Sequence, residues 1–308
     1  MLREEKGGWA TITSILFLLL ITALVSALAL IYTSNNIYFR KNQNDYRIKK
    51  EADAFLDKIL YDIQSLKEES YDSQENKYIT HFINNYNSRN LTLEDISSGL
   101  HLDFLPDADL SDPLFCKYVF INNQPGNFIN YRNQYGLSKN IDVWKPFVTE
   151  NAISSCKAFG WLHTFHNSSY AFQEISSSFN TADLDKLFPL VNSFPLININ
   201  YVDPEIIELF IMRKSFEIKQ AKEKYKKLKT RLENRPVDDL DIIEILEVPL
   251  TNKIFSYIGC KTSFWKITFS AEEKFIVQAI VAAIPDEKNN PRAVEKYVLV
   301  DRRFLNVK

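Results

Sequence analysis

Glycine is scarce in this chain, 7 residues in 308. Phosphate-cradling loops need glycine for positive backbone angles and close backbone approach, and no dinucleotide or P-loop fingerprint is present. Cysteine is nearly as rare: Cys116, Cys156 and Cys260 are spread too widely for any zinc-ligand spacing. In an oxidising compartment one pair could bridge and leave the third free, while all three serve equally well as small buried hydrophobes. The spacing does not choose a pair. An excess of one charge is also missing, for the net charge is −2. Nucleic acid is therefore not the default ligand.

Catalytic patterns are missing too. There is no His-Glu-x-x-His, no Gly-x-Ser-x-Gly and no Cys and His arrangement that spacing supports, so the chain is not read as an enzyme. His163 and His166 stand three apart, as helical metal ligands do, but no acidic or cysteine residue takes a companion position. They read as a surface or structural pair, and His81 and His101 are isolated.

What is present begins at Lys6-Gly7-Gly8-Trp9, followed by an uncharged run from Trp9 through Tyr32. At about 1.5 Å per residue a helix over that run reaches about 36 Å, enough to cross a hydrocarbon core of about 30 Å with some tilt. Three readings compete: an ordinary signal anchor, a secretory signal cut at Ala27-Leu28-Ala29, and a short leader ending in glycine. The apolar run continues past Ala29 through Leu30, Ile31 and Tyr32, which favours retention. Arg3 and Lys6 precede the run and Arg40, Lys41, Arg47, Lys49 and Lys50 follow it, so a simple positive-inside count places the large domain in the cytoplasm. That rule is weak for long translocated domains, Arg40 lies well beyond Tyr32, and the leader pattern outweighs the count.

No glycine or proline separates Gly8 from Gly99, so the helix is expected to continue. Ala52, Phe55, Leu56, Ile59, Leu60, Ile63 and Leu66 form one apolar stripe, and the helix should end between Glu69 and Ser73. Lys77 to Tyr86 and Leu91 to Ser98 read as short helices, and Leu100 to Leu105 alternates like a strand. Asp107, Asp109 and Asp112 then fall between Pro106 and Pro113, a spacing that can gather a hard cation such as calcium. The glycine and terminal glutamate of an EF-hand loop are lacking, so a solvated acidic turn is the stronger reading.

From Leu114 to Asn192 the aromatics Trp144, Phe147, Phe159, Trp161, Phe165, Tyr170 and Phe172 follow no single period, as in a small helical domain with its own core. Leu196 to Asn200 is extended, and Asp203-Pro204-Glu205 opens a helix with a capping carboxylate, proline in the first turn and an acid at the positive end of the dipole. Ile206, Ile207, Leu209, Phe210 and Ile211 should form its buried side. Met212 to Asn234 carries nine basic residues against Glu217, Glu223 and Glu233, either facing anionic lipid or an acidic partner or, as charge runs usually do, solvated. Pro236 ends that helix and Val237 to Val248 forms another. The C-terminal stretches Ser263 to Ser270, Lys274 to Pro285 and Lys296 to Leu305 read as three antiparallel strands, turning at Ala271-Glu272-Glu273 and through a longer loop at Pro285 to Pro291.

The expected fold class is α+β: a long N-terminal transmembrane and amphipathic helix packed on a small antiparallel sheet, with a large inserted all-α domain. The divisions are a leader at 1–8, the helix at 9–75 with its membrane part at 9–32, a connection at 76–105, the helical domain at 106–258 and the sheet at 259–308.

This layout resembles the K-type minor pseudopilins of type II secretion systems, within the type IV pilin-like superfamily. Lys6-Gly7-Gly8-Trp9-Ala10 looks like that group's basic, glycine, apolar, alanine start. Gly99 to Leu105 is similar to its glycine and alternating Leu-Asn stretch, with His101 and Asp103 in place of Asn. Pro195 to Asn200 and then Pro204 to Leu209 resemble its Ile-Asn-Val-Asn-Thr-Ala segment and following helix, with Tyr201-Val202 where Thr-Ala is usual. Thr262 to Ile267 resembles its Ser-x-Phe-Phe-x-Val strand entry, and Arg302-Arg303 its ending.

The resemblance implies a tip subunit of a short periplasmic filament, anchored in the inner membrane by one pass with its globular part periplasmic. Its implied partners are the major and other minor pseudopilins, a prepilin peptidase that cuts and methylates the N-terminus, membrane lipid, and secreted proteins or the outer-membrane secretin. Calcium in the globular part is also implied, with Asp107, Asp109 and Asp112 the candidates although no family ligand motif maps onto them. Pilins usually carry glutamate as the fifth mature residue. Cleavage between Gly8 and Trp9 makes that residue Thr13, and cleavage after Gly7 makes it Ile12; neither is charged. The rival readings are a minor pilin of a type IV pilus or competence system, and a single-pass anchored periplasmic enzyme or receptor.

Overall fold

The computed structural model describes residues 4–64, 70–86, 89–135, 141–156, 196–212, 215–286 and 290–307. The chain divides into two compact units, Met1–Phe55 and Leu56–Lys308.

The first unit is most of helix α1, which runs Glu4–Ile63. It begins ahead of Trp9, so the junction at Gly8 lies inside the helix and not in a loop before it. Glycine in a helix interior is unfavourable by about 1 kcal/mol against alanine, so the Gly7-Gly8 pair marks a weak point. Beyond it Leu16, Leu20, Leu24 and Leu30 are all more than half exposed, and the most apolar 18-residue window has a mean hydropathy of 2.8 with nothing buried. An apolar helix exposed on every side suits lipid. Among the described residues it is the single helix long and apolar enough to cross a membrane.

The second unit holds an antiparallel sheet in the order β1-β4-β5-β6, where β1 is Thr92–Asp95, β4 Phe264–Ala271, β5 Phe275–Asp286 and β6 Asn290–Asn306. The three C-terminal strands lie adjacent, as expected from their alternation. Glu272 and Glu273 make the β4 to β5 turn with φ of 50° and 56°, and Lys274 N donates to Ala271 O at 3.1 Å. Two left-handed residues match the twist of a tight hairpin, although glutamate is not the usual choice there. One sheet face is closed by Phe264, Ile280, Ala282, Ile284, Val298 and Val300 together with Ile96.

Two local expectations differ. β1 falls in a segment read as helical, because its four residues pair with Trp265 to Thr268 across the sheet. Leu100 to Leu105 is not a strand: Leu100 makes one isolated bridge to Cys156, and Leu102–Phe104 is a 3₁₀ turn. Pairing with distant residues makes the first a strand against its local reading, and the lack of a ladder beyond one bridge leaves the second without one despite its alternation.

In the expected apolar stripe of α1, Leu56, Ile59 and Ile63 are buried and Leu60 is half-buried, while Leu66 lies outside the described residues. Gln64, just past α1, acts like a strand: its Nε2 donates to Glu295 O at 2.8 Å and its Oε1 accepts from Tyr297 N at 3.0 Å. The helix end is thereby held to β6. Helix α2 (Lys77–Asn85) follows, capped by Asn76.

Between β1 and β4 the described residues are mainly helical: α3 (Asp107–Leu110), α4 (Pro113–Val119), α5 (Pro125–Tyr135), α6 (Glu150–Ile153), α7 (Pro204–Ile206), α8 (Ile218–Asn234) and α9 (Asp239–Leu246). Phe115, Phe120, Phe128 and Trp144 form an aromatic core, with the Phe128 and Trp144 rings 6.2 Å apart. Asp203 caps α7 by accepting from Glu205 N at 3.0 Å, and Ile206, Ile207 and Ile211 are buried. The Ile207–Ile211 stretch continues α7 as a π-helix. A short parallel ladder joins β2 (Ile197–Asn198) to β3 (Ile258–Gly259).

Candidate functional site

In the apolar part of α1, the Thr13 hydroxyl donates to Trp9 O at 2.5 Å. Thr22 and Thr33 do the same to the carbonyls four residues earlier, at 2.8 and 2.7 Å. A hydroxyl bonded within its own helix presents no unsatisfied donor to lipid. Thr13 thus brings neither charge nor an open polar group to the segment.

The second candidate site is a buried polar joint in the globular unit. Asp95, at the end of β1, is buried, and its Oδ1 accepts from Ser97 N (2.8 Å), Ser97 Oγ (2.7 Å) and Ser98 N (3.0 Å). Its Oδ2 accepts from Ser98 Oγ at 2.7 Å and Thr262 Oγ1 at 2.6 Å. Burial pushes the Asp95 pKa up against the pull of these bonds. Asp72, fully buried in the segment between α1 and α2, accepts from Thr262 N at 2.9 Å, with Lys261 Nζ 3.6 Å from its other oxygen. Burial raises its pKa to about 6, and Lys261 is the main opposing influence.

Asn198 closes the joint. Its Nδ2 donates to Asp72 O (2.8 Å) and Thr262 Oγ1 (3.1 Å), and its backbone N–H donates to Ser98 Oγ (3.0 Å). Four distant chain segments therefore meet on two carboxylates. The hydroxyls of Ser97, Ser98 and Thr262 are all spent on Asp95, so none of them stands as a nucleophile. Asn198 sits in the extended stretch that the sequence singles out. Asp72, Asp95 and Thr262 were not foreseen, although Asp95-Ile96-Ser97-Ser98 is a local pattern for a carboxylate that bonds its own following backbone.

Two cavities of about 320 and 340 Å3 lie beside this joint and share Gln74, Tyr201 and Val202. Asp95 and Ser98 line the second, and Ser73, Asn200 and Pro236 line the first. Tyr201 packs edge-on against Trp265, its hydroxyl pKa raised by burial and by the neighbouring Asp95 and Asp72.

Two of the three acidic candidates for calcium have partners within the fold. Asp107, in α3, pairs with Arg132, which also donates to Leu102 O at 3.1 Å and to Leu105 O at 2.5 Å. Asp112 caps α4, accepting from Leu114 N at 2.9 Å and Phe115 N at 3.1 Å. Asp109 is half-buried within α3. Among the described residues no group of three or more His, Cys, Asp or Glu is placed to hold a metal ion.

Cys116, Cys156 and Cys260 are buried thiols outside any disulfide. Cys116 Sγ donates to Leu110 O at 3.1 Å, and burial pushes the Cys156 thiol up to about 12. His163 and His166 lie outside the described residues, while His81 is exposed and the buried His101 holds Ser97 O through Nε2 at 2.7 Å. Comparison of the chain with family models, with curated proteins and with solved structures gives no match.

Proposed function

We propose that this protein is a membrane-anchored, pilin-like minor subunit, of the K type found in type II secretion, that nucleates and caps a short filament. The observation that carries the reading is the Trp9 to Tyr32 stretch of α1, apolar, exposed on all sides and free of charge at Thr13. A carboxylate at the membrane centre costs about 2.5–3.5 kcal/mol without a partner. Pilin subunits offset that cost with the N-terminal amine of a neighbour, and a subunit with no neighbour above it is better without the acid. Thr13 meets that condition, and its hydroxyl is satisfied within the helix.

The rest of the chain fits the same layout. In this reading the helix continues from the membrane segment to an antiparallel sheet, the mainly helical stretch between β1 and β4 broadens the tip, and the globular unit lies in the periplasm where it meets secreted protein or the secretin. In this reading the subunit acts by assembly and not by chemistry.

The deciding experiment is the N-terminal mass of the mature protein. A methylated amine on Trp9, or on Gly8, supports the reading; a start at Leu30 points to secretory cleavage; an intact Met1 points to an ordinary anchor bearing a receptor or enzyme. A minor pilin of a type IV system shares the leader, and neighbouring genes for a secretin and further pseudopilins separate the two.

A further inference from the structure

Helix α8 sorts its positive charges onto two faces. Toward α9, Lys224 Nζ lies 3.0 Å from Glu247 Oε2, Lys227 Nζ lies 3.3 Å from Glu247 Oε1, and Arg231 Nη1 lies 3.2 Å from Asp241 Oδ1. The two lysines hold the Glu247 carboxyl below its ordinary pKa. Those cations have intramolecular work.

Lys219, Lys222, Lys226 and Lys229 are different. They follow at steps of three, four and three, which places them within an arc of about 80° and over about 15 Å of helix. All are exposed, and among the described residues none forms an ion pair. Glu233 is the acidic residue on the same arc, one turn past the last lysine. Four like charges along one face repel each other, and among the described residues no carboxylate pairs with any of them.

The kind of partner follows from what surrounds the stripe. Of the apolar residues of α8, Ala221 and Leu228 are fully buried and Tyr225 and Leu232 are half-buried against the same core, which leaves Ile218, 56% exposed, as its one open apolar side chain, too little to insert into lipid. Nucleic acid is disfavoured by the net charge of −2 and by the lack of arginine on the arc. A row of lysines at three- and four-residue steps is complementary to a helix that carries carboxylates at the same steps.

We propose that the Lys219, Lys222, Lys226 and Lys229 stripe of α8 docks an acidic helical segment of a partner protein, with carboxylates at matching three- and four-residue steps. The inference stands on α8 alone and does not depend on the filament reading.

The test uses the full chain in nanodiscs of neutral phosphatidylcholine at about 50 mM salt, where exposed charges are weakly screened. The probe is a labelled helical peptide of about five turns with glutamates at the complementary steps. It is read by anisotropy beside a peptide of equal composition whose glutamates surround the helix. The aligned peptide should bind about tenfold more tightly than the scrambled one, and K222E/K226E should lose about tenfold while regaining binding to a lysine-for-glutamate peptide. Equal binding of both peptides, or an unchanged K222E/K226E, overturns the proposal. So does displacement of the aligned peptide by vesicles of roughly 30% phosphatidylglycerol, which would make the stripe a lipid face. Should the reversal fail to fold, K222Q/K226Q carries the same test without opposite charge.

Discussion

The Thr262 hydroxyl donates a 2.6 Å hydrogen bond to the buried carboxylate of Asp95, joining the residue that leads into β4 to the one that ends β1. The same hydroxyl accepts from Asn198 Nδ2 at 3.1 Å, so one side chain joins the sheet to the extended stretch from Leu196 to Asn200. Deleting it leaves both a buried carboxylate oxygen and a buried amide short of a partner. Thr262→Val is expected to lose about 1–3 kcal/mol in chemical denaturation, and Thr262→Ser most of an order less. Equal losses would mean that the methyl group, not the hydroxyl, carries the effect.

Asp72 gives the protein a pH dependence of unusual sign for a carboxylate. Burial raises its folded pKa to about 6 from the ordinary 3.8, against the opposing influence of Lys261. The folded state therefore holds a proton that the unfolded state has already lost between these values. This contribution is fully present below the unfolded pKa and is lost as pH rises through about 6. The melting temperature should rise as pH falls from about 7 to about 5, by an amount equivalent to about 1–3 kcal/mol. Asp95, also raised by burial, has the same sign. In Asp72→Asn the slope should flatten; a slope as steep as wild type would assign it elsewhere.

Thr13 offers a test of the membrane segment. Thr13→Val removes a hydroxyl already bonded to Trp9 O and should leave insertion unchanged. Thr13→Glu should weaken it in a translocon insertion assay, by less than the roughly 2.5–3.5 kcal/mol of a carboxylate at a helix centre, because Thr13 lies near the end of the run. Tolerance of the glutamate would indicate a segment with its own internal partner.

For the acidic stretch, Asp112→Ala should cost about 0.5–2 kcal/mol through loss of the α4 cap, with or without calcium. Millimolar calcium should leave the melting temperature of the wild type unchanged, because Asp107 is held by Arg132 and Asp112 by backbone N–H groups. A calcium-dependent rise that disappears in Asp109→Ala would place an ion there after all.

The two kinds of legibility separate along physical lines. By itself the sequence determined what depends on neighbours along the chain. The Trp9 to Tyr32 run declared a membrane-length helix, Asp203-Pro204-Glu205 declared a helix start, and alternation marked β4, β5 and β6, since periodicity and capping act within a few residues. Only the tertiary structure decided that Thr92 to Asp95 is a strand, and that the Asp107 and Asp112 carboxylates bind Arg132 and a helix end instead of gathering. It alone brought Asp72 and Thr262 together across 190 residues. It also divided the α8 cations into a paired face and an open one. The reason is that a hydrogen bond or ion pair is set by which groups folding brings within about 3 Å, and no local pattern encodes that distance.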